Sequence, residues 1–315
     1  MASTTTYRLP KGVAAKTPAA PTDYRNLSLS LLCVALSLGT AYSVVFNTYL
    51  DTSDPLLAHL PHPAHAHSYF ARKSNVFNQI FVKKAWAWTT AAFLVVYATS
   101  PAERRTWTRV WRWAVATGVW ILFTTWFFGP ALMERVMAYS GGECVIAVPS
   151  SPFISQGGAP TIMSVPLEYC HTKTTITTTE HAHLFASSLV PPPADFAGRP
   201  RLYKGHDVSG HIFLLTLAIC FLTDQLTSAL NPKPRIISKA HALAINSTLA
   251  LLAIWWWMAI MTSVYFHTPV EKLSGFVLGV IGYFLTLIPL PTSEPPKVGA
   301  PIPNDKLRPD AMRLD

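Results

Sequence analysis

Six apolar stretches, each about as long as a helix that crosses a bilayer, constrain the fold of this chain more than any other feature of its sequence. A helix needs about 20 apolar residues to cross about 30 Å of hydrocarbon. Hydrophobic residues make up 50% of the chain and charged residues only 13%. The sequence therefore predicts an all-α membrane protein with six transmembrane helices. The predicted spans are 27–47, 76–99, 107–129, 209–229, 240–266 and 270–290.

The spans leave one membrane domain and two polar tails. Residues 1–25 and 291–315 are rich in proline and polar side chains and show no periodicity, so we predict that both tails are disordered. The membrane domain then extends over 26–290. Its longest connection, 130–207, mixes Pro, Gly, Ser and Thr, and we expect it to form a loop or a cap outside the membrane.

The distribution of basic residues predicts the orientation of the chain. The net charge of +9 comes mainly from Lys and Arg close to the spans, and such residues tend to remain on the cytoplasmic side. Most of them fall on one side if the N-terminus is cytoplasmic. We therefore predict that both termini are cytoplasmic and that 130–207 is luminal. Charge placed in this way argues against nucleic acid as a partner.

Two of the four cysteines, Cys144 and Cys170, lie in this long connection. In the lumen of the endoplasmic reticulum they could form a disulfide that closes the loop. Two loop cysteines can equally remain free thiols, so the sequence leaves both states open.

The sequence predicts no cofactor and no metal site. It contains no Gly-rich nucleotide loop and no Cys-x-x-Cys pair. Several histidines lie within 59–67, but neither a cysteine nor paired carboxylates accompany them to complete a metal site. We interpret this stretch as a solvated loop.

Two histidines stand where predicted spans meet polar sequence: His211 begins the fourth span and His267 ends the fifth. Consecutive spans are antiparallel, so these two positions emerge on the same face, which the charge distribution predicts to be luminal. One imidazole can attack phosphorus while the other protonates the leaving oxygen. The pair therefore suggests phosphoryl chemistry on a lipid-like substrate. The alternative is that each is an interfacial side chain without a chemical role.

The residues beside the histidines have candidate roles of their own. Ser209 and Gly210, at the start of the fourth span, could cradle a phosphate with the free backbone N–H groups of the helix. Glu271 lies four residues after His267 and could hold that ring in one tautomer. Thr268 and Glu271 also match a capping box, which explains the glutamate by helix capping alone, and both interpretations stay open.

Lysines in or beside the spans are candidates for binding phosphate. Lys83 and Lys84 lie about 12 Å into the second span at a rise of about 1.5 Å per residue. Charged residues at such a depth are often functional. The alternative is that both side chains extend to the membrane surface without contacting a substrate.

Three stretches of the chain, in this order, resemble the fat storage-inducing transmembrane family. The resemblance extends from about 70 to 280 and omits both tails and the insertion 145–205. The stretches are 75–89 with Lys83 and Lys84, Asp207-Val208-Ser209-Gly210-His211, and Tyr265-Phe266-His267-Thr268-x-x-Glu271-Lys272.

The resemblance implies a multi-pass protein of the endoplasmic reticulum membrane that supports lipid droplet formation and phospholipid homeostasis. It also implies a helical core like that of the lipid phosphate phosphatases and cleavage of the diphosphate of fatty acyl-coenzyme A on the luminal side. In that reaction His211 would protonate the leaving group and His267 would attack phosphorus, with Glu271 in the place of an aspartate. The implied partners are acyl-coenzyme A and the neutral lipids or phospholipids of the bilayer.

One position departs from the phosphatase pattern. Six residues before His267, where those enzymes carry a phosphate-binding arginine, this chain has Met261. The cation must therefore come from elsewhere, and the sequence offers Lys83, Lys84, Lys204 and Lys272. Two rival hypotheses remain: a non-catalytic protein that binds neutral lipid and promotes droplet budding, and a proton-coupled carrier.

Overall fold

The computed structural model describes residues 23–49, 62–124, 130–149, 161–186, 192–230 and 238–289, and it is mostly helical. In chain order its α-helices are α1 (Tyr24–Val45), α2 (Ala85–Thr99), α3 (Trp107–Thr124), α4 (Leu132–Tyr139), α5 (Leu167–Thr172), α6 (Ala182–Phe185), α7 (Gly210–Leu230), α8 (Lys239–Tyr265) and α9 (Pro269–Thr286). The strands are β1 (Glu143–Val148), β2 (Thr161–Ser164), β3 (Ile176–Thr177), β4 (Ala197–Gly198) and β5 (Arg201–Tyr203).

Each predicted span overlaps one helix, and among the described residues α1, α7 and α8 are long and apolar enough to cross a membrane. The prediction of a helical membrane protein is confirmed to that extent. The second span begins differently from the prediction: Phe77–Phe81 forms a π-helical turn and Val82–Lys84 a 3₁₀ turn before α2 starts. The predicted tails lie outside the described residues except 23–25, which cap and begin α1.

Helix α7 lies at the centre of the bundle and packs most extensively against α9. Glycines make this approach possible. A Cβ atom on Gly275 would lie 2.5 Å from the backbone oxygen of Ser209, and one on Gly279 would lie 2.8 Å from that of Phe213. Because a side chain at either position would collide with backbone, the two helices can touch only where α9 carries glycine.

Contacts between helix ends show which ends of the helices lie together. At one end of the bundle, the Lys272 ammonium donates to Ser43 Oγ at 2.8 Å and to the backbone oxygen of Ser263 at 2.6 Å. The end of α1, the end of α8 and the start of α9 therefore meet. At the other end, Thr99 Oγ1 lies 3.0 Å from His241 Nδ1, which brings the end of α2 to the start of α8.

The described parts of the long connection form a small folded cap, defined here as residues 132–149, 161–186 and 192–203, with strands that the all-α prediction missed. In it, β1 pairs with β2 and β5, and β3 pairs with β4, all antiparallel. The β-branched run in Glu143–Val148 explains the central strand, since such residues favour strands. A disulfide joins Cys144 and Cys170, and the buried side chains of Ile146 and Ile176 complete the core.

The prediction that the stretch 59–67 is a solvated loop is wrong for His62. His62 is only 6% exposed. Its Nε2 lies 2.7 Å from the backbone oxygen of Thr48, and its Nδ1 accepts from the backbone N–H of Ala64. The ring also meets Tyr265 and Phe266 edge-on, so it packs the segment after α1 against the end of α8.

A buried carboxylate joins three helices at the end of the bundle away from His211. Asp224 Oδ2 accepts from Arg112 at 2.6 Å, and Asp224 Oδ1 lies 3.8 Å from Arg25. The Asp224 side chain is 6% exposed, whereas both arginines remain partly exposed. The Asp224 carboxylate thus holds together the start of α1, the start of α3 and the end of α7.

Replacing Asp224 with asparagine is expected to destabilise the bundle. The Arg112 guanidinium would keep an oxygen acceptor but lose its charged partner, and a hydrogen bond to a charged group contributes about 1 kcal/mol more than one to a neutral group. The melting temperature of the purified protein in detergent should fall by several degrees. Asp195→Asn, at an exposed position of the cap, is the control and should melt like the wild type; equal melting of both variants would show that the Asp224 contacts contribute nothing.

Candidate active site

A cavity of about 220 Å³ lies where α7 begins, α8 ends and the segment before α2 passes across both. Its polar wall consists of Lys73, Asn75, Asn78, Asp207, His211 and His267. Its apolar wall consists of Phe70, Met258, Met261 and Phe266. The two histidines that the sequence predicted to share a face therefore line one cavity.

His211 lies in the first turn of α7 and is oriented by Asn78. The ring Nε2 lies 3.0 Å from Asn78 Oδ1. The amide nitrogen of Asn78 donates to the backbone oxygen of Lys73 at 2.7 Å, so the amide oxygen faces the ring. An amide oxygen can only accept, and His211 Nε2 must therefore carry a proton in this arrangement.

His267 occupies the short connection between α8 and α9 in a left-handed backbone conformation, with φ of +62°. Such a conformation costs a residue with a Cβ atom about 1–2 kcal/mol. The ring Nδ1 lies 3.3 Å from Glu271 Oε2 and 3.9 Å from Asp207 Oδ2. The Glu271 carboxylate is close enough to attract a proton on Nδ1, although the alignment does not make a regular hydrogen bond. Two carboxylates thus favour a proton on Nδ1, which leaves the lone pair on Nε2.

Glu271 makes the capping contact, and the same carboxylate oxygen also lies beside His267. Its Oε2 accepts from the backbone N–H of Thr268 at 2.9 Å, and Thr268 Oγ1 accepts from the backbone N–H of Glu271 at 3.4 Å. These two bonds are the reciprocal pair of a capping box. The same Oε2 faces His267 Nδ1, so the residue that caps α9 also positions the ring.

Asp207 is a site residue that the sequence reasoning did not single out, although it stands four positions before His211 within the quoted motif. Burial raises the pKa of Asp207 above its usual value, and the nearby His267 ring opposes that rise. Since 40% of the side chain remains exposed, water screens this effect of burial. Asp207 is the more distant of the two carboxylates on His267 Nδ1.

The predicted phosphate cradle at Ser209 and Gly210 does not face the cavity. Ser209 is fully buried, and its backbone N–H donates to the backbone oxygen of Glu271 at 3.1 Å. A Cβ atom on Gly210 would lie 3.4 Å from the sulfur of Met133. Neither residue lines the cavity: Ser209 packs the start of α7 against α9, and Gly210 packs it against α4.

None of the four lysines proposed from the sequence lines the cavity. Lys83 and Lys84 are exposed, and Lys83 Nζ donates to Gln79 Oε1 at 2.9 Å. Lys204 lies 3.3 Å from Glu143, beside the cap. Lys272 is 3% exposed and its ammonium is held by Ser43 and Ser263, so it joins helices instead of facing the site. The cavity does contain Met261, where a phosphatase would carry arginine, and it contains Lys73.

Comparison with known proteins confirms the resemblance drawn from the motifs. The family model described as "Fat storage-inducing transmembrane protein" matches residues 66–243 and 231–287. The acyl-coenzyme A diphosphatase fit1 of Schizosaccharomyces pombe is 28% identical over 264 residues, which cover 83% of this chain and 84% of the relative.

Vertebrate relatives match over a shorter part of the chain. The acyl-coenzyme A diphosphatase FITM2 of Sus scrofa is 26% identical over 232 residues, and that of Xenopus tropicalis is 28% identical over 234 residues. In both cases the match covers 70% of this chain and 71% of the relative. No solved structure matches this one. The extent of the family match shows that the chain belongs to the fat storage-inducing transmembrane protein family.

Proposed function

We propose that this protein is a membrane-embedded acyl-coenzyme A diphosphatase, which hydrolyses the phosphoanhydride bond of a fatty acyl-coenzyme A. Its relatives carry that activity in their names. The observation that carries the proposal for this chain is that His211 and His267 line one cavity, each with a fixed polar partner. Two imidazoles with distinct environments supply the nucleophile and the acid that phosphoryl transfer needs.

The orientation of the rings assigns their roles. The carboxylates beside His267 Nδ1 hold the proton there, so Nε2 attacks one phosphorus of the diphosphate. A nitrogen–phosphorus bond forms while the bond to the bridging oxygen breaks, and a protonated His211 donates to that leaving oxygen. A water molecule, deprotonated by the now neutral His211, then attacks the phosphohistidine. This second step releases the phosphorylated product and restores both rings.

The apolar wall of the cavity accounts for a substrate with a hydrocarbon tail. Phe70, Met258, Met261 and Phe266 stand beside the polar groups. Methionine side chains adapt their shape readily, which suits a flexible acyl chain. The diphosphate would lie against the histidines while the tail extends between the helices into the bilayer.

The proposed topology places the site in the lumen of the endoplasmic reticulum, in a core of six spans like that of the lipid phosphate phosphatases. Asp224 and its arginines then lie at the cytoplasmic surface, as the basic residues near the spans require. The cap, with its disulfide, follows the end of α3 that lies beside the cavity, and an oxidising lumen suits that bond. Hydrolysis there would support lipid droplet formation and phospholipid homeostasis.

Loss of either histidine should abolish hydrolysis of an acyl-coenzyme A by the purified protein. General acid catalysis contributes about 10²–10⁴-fold, so His211→Ala should lower kcat by at least about 100-fold. His267→Ala should reduce turnover to background because no nucleophile remains.

The matched control is His183→Ala, at an exposed histidine of the cap, which should retain wild-type turnover. Turnover that survives both substitutions would contradict the catalytic assignment. Lipid binding without turnover in any form of the protein would favour the non-catalytic alternative.

The two roles of Glu271 can be separated by two variants. Glu271→Gln keeps an oxygen for the Thr268 N–H but removes the charge that holds His267, so kcat should fall about 10²–10⁴-fold with little change in melting temperature. Thr268→Ala removes only a cap bond, which is worth about 1 kcal/mol, so it should lower the melting temperature and leave most of the activity. Equal loss of stability and activity in both variants would show that Glu271 acts only by capping the start of α9.

A glycosylation acceptor in the cap tests the luminal placement. Lys173→Asn creates the sequence Asn-Thr-Thr at a side chain that is 74% exposed and has a left-handed backbone, which asparagine tolerates. Expressed in a eukaryotic cell, this variant should acquire a glycan removable by endoglycosidase H. The wild type, whose own acceptors Asn26 and Asn246 are predicted to lie at a cytoplasmic edge and within a span, should not. A Lys173→Asn variant without glycan would place the cap in the cytoplasm.

A further inference from the structure

The cavity lacks the arginine that a phosphatase-type site would use, and it already contains negative charge. Asp207 and Glu271 both approach His267 Nδ1, and Met261 stands where the cation would be expected. A diphosphate adds at least two further negative charges. Without a nearby cation, repulsion in a partly buried site would oppose binding, since charges interact strongly where water is excluded.

Lys73 is the only lysine or arginine among the described residues that line the cavity. It belongs to the segment before α2, which crosses the mouth of the site between α7 and α8. Its side chain is exposed, so its ammonium can meet a ligand that enters. Its charge also reaches the site: burial raises the pKa of Asp207, and His267 and Lys73 both oppose that rise.

The backbone that carries Lys73 is fixed on both sides by side-chain hydrogen bonds. The backbone oxygen of Lys73 accepts from the amides of Asn78 at 2.7 Å and Gln79 at 2.9 Å. Asn75, only 4% exposed, donates to the backbone oxygen of Arg72 at 2.7 Å and accepts from the backbone N–H of Asn78 at 2.8 Å. The segment therefore presents Lys73 from a defined position, which reduces the entropy lost when a ligand binds.

This segment also connects the lysine to the acid of the site. The Asn78 amide accepts from His211 through its oxygen and donates to the Lys73 backbone through its nitrogen. One side chain thus sets the distance between His211 and the backbone of Lys73. A phosphate held by the ammonium would be placed relative to the proton donor by the same amide.

We propose that Lys73 is the substrate-binding cation of this site and contacts the diphosphate in the place of the arginine that Met261 replaces. The inference rests on the proposed function and adds to it the residue that recognises the anion. The phosphate contact is then made from the segment before α2 and not from α8, the helix that carries Met261.

The test uses the full-length protein purified in detergent, with wild type, Lys73→Met, Lys73→Arg and Lys239→Met compared. Loss of a preorganised charge contact should lower kcat/KM for an acyl-coenzyme A about 10²–10³-fold in Lys73→Met. Lys73→Arg keeps the charge and should remain within about tenfold of the wild type. Lys239→Met, at an exposed lysine at the far end of α8, should be unchanged.

A second measurement separates this inference from the proposed function. Inorganic pyrophosphate should raise the melting temperature of the wild type and of Lys73→Arg, but not that of Lys73→Met. A wild type without turnover but with this pattern would support the cation site and overturn the proposed activity. An active wild type whose kcat/KM and pyrophosphate response are unchanged in Lys73→Met would overturn the role of Lys73 and leave the activity standing.

Discussion

The close packing of α7 against α9 is the constraint on which the site depends. At Gly275 and Gly279 the two helices approach until backbone and side-chain atoms of α7 fill the space of a missing Cβ. The backbone N–H of Ser209 then reaches the backbone oxygen of Glu271, which fixes the start of one helix against the start of the other. His211 and His267 sit one turn or less from this contact, so the separation of the two rings is set by backbone packing.

Helix capping and chemistry share a single carboxylate oxygen in this protein. Oε2 of Glu271 closes the capping box of α9 and also faces His267. The left-handed backbone of His267 is what turns its ring back over the first turn of α9. The strained backbone of His267 persists because α8, α9 and the capping box of α9 fix the connection from both sides. The stability of the start of α9 and the orientation of the His267 ring are therefore physically coupled.

The sequence predicted the features of the site that follow from helix order and from motifs. It did not predict those that depend on the direction of a side chain. That His211 and His267 share a face follows from the antiparallel arrangement of α7 and α8, and the structure brings both to one cavity. Helix order could not predict which lysines line the cavity. The π-helical and 3₁₀ turns before α2 break the helical period of about 3.6 residues, and Lys83 therefore points outward. Lys73 lies before these turns, in a segment whose direction cannot be predicted from its hydrophobicity. The strands of the cap were missed because the surrounding Pro, Gly, Ser and Thr obscured one short β-branched run.

The arrangement of charge in the cavity explains how a site with two carboxylates can act on an anion. Asp207 and Glu271 stand on the Nδ1 side of His267, where their charge favours a proton on that nitrogen and leaves the lone pair on Nε2. The lysine enters from the opposite segment, with Asn78 between its backbone and His211. In the proposed mechanism, the carboxylates therefore act on the nucleophile from the Nδ1 side while the cation meets the incoming phosphate. A cation on the segment before α2, and not at Met261 on α8, would approach the phosphate from a different element than the one that leads into His267.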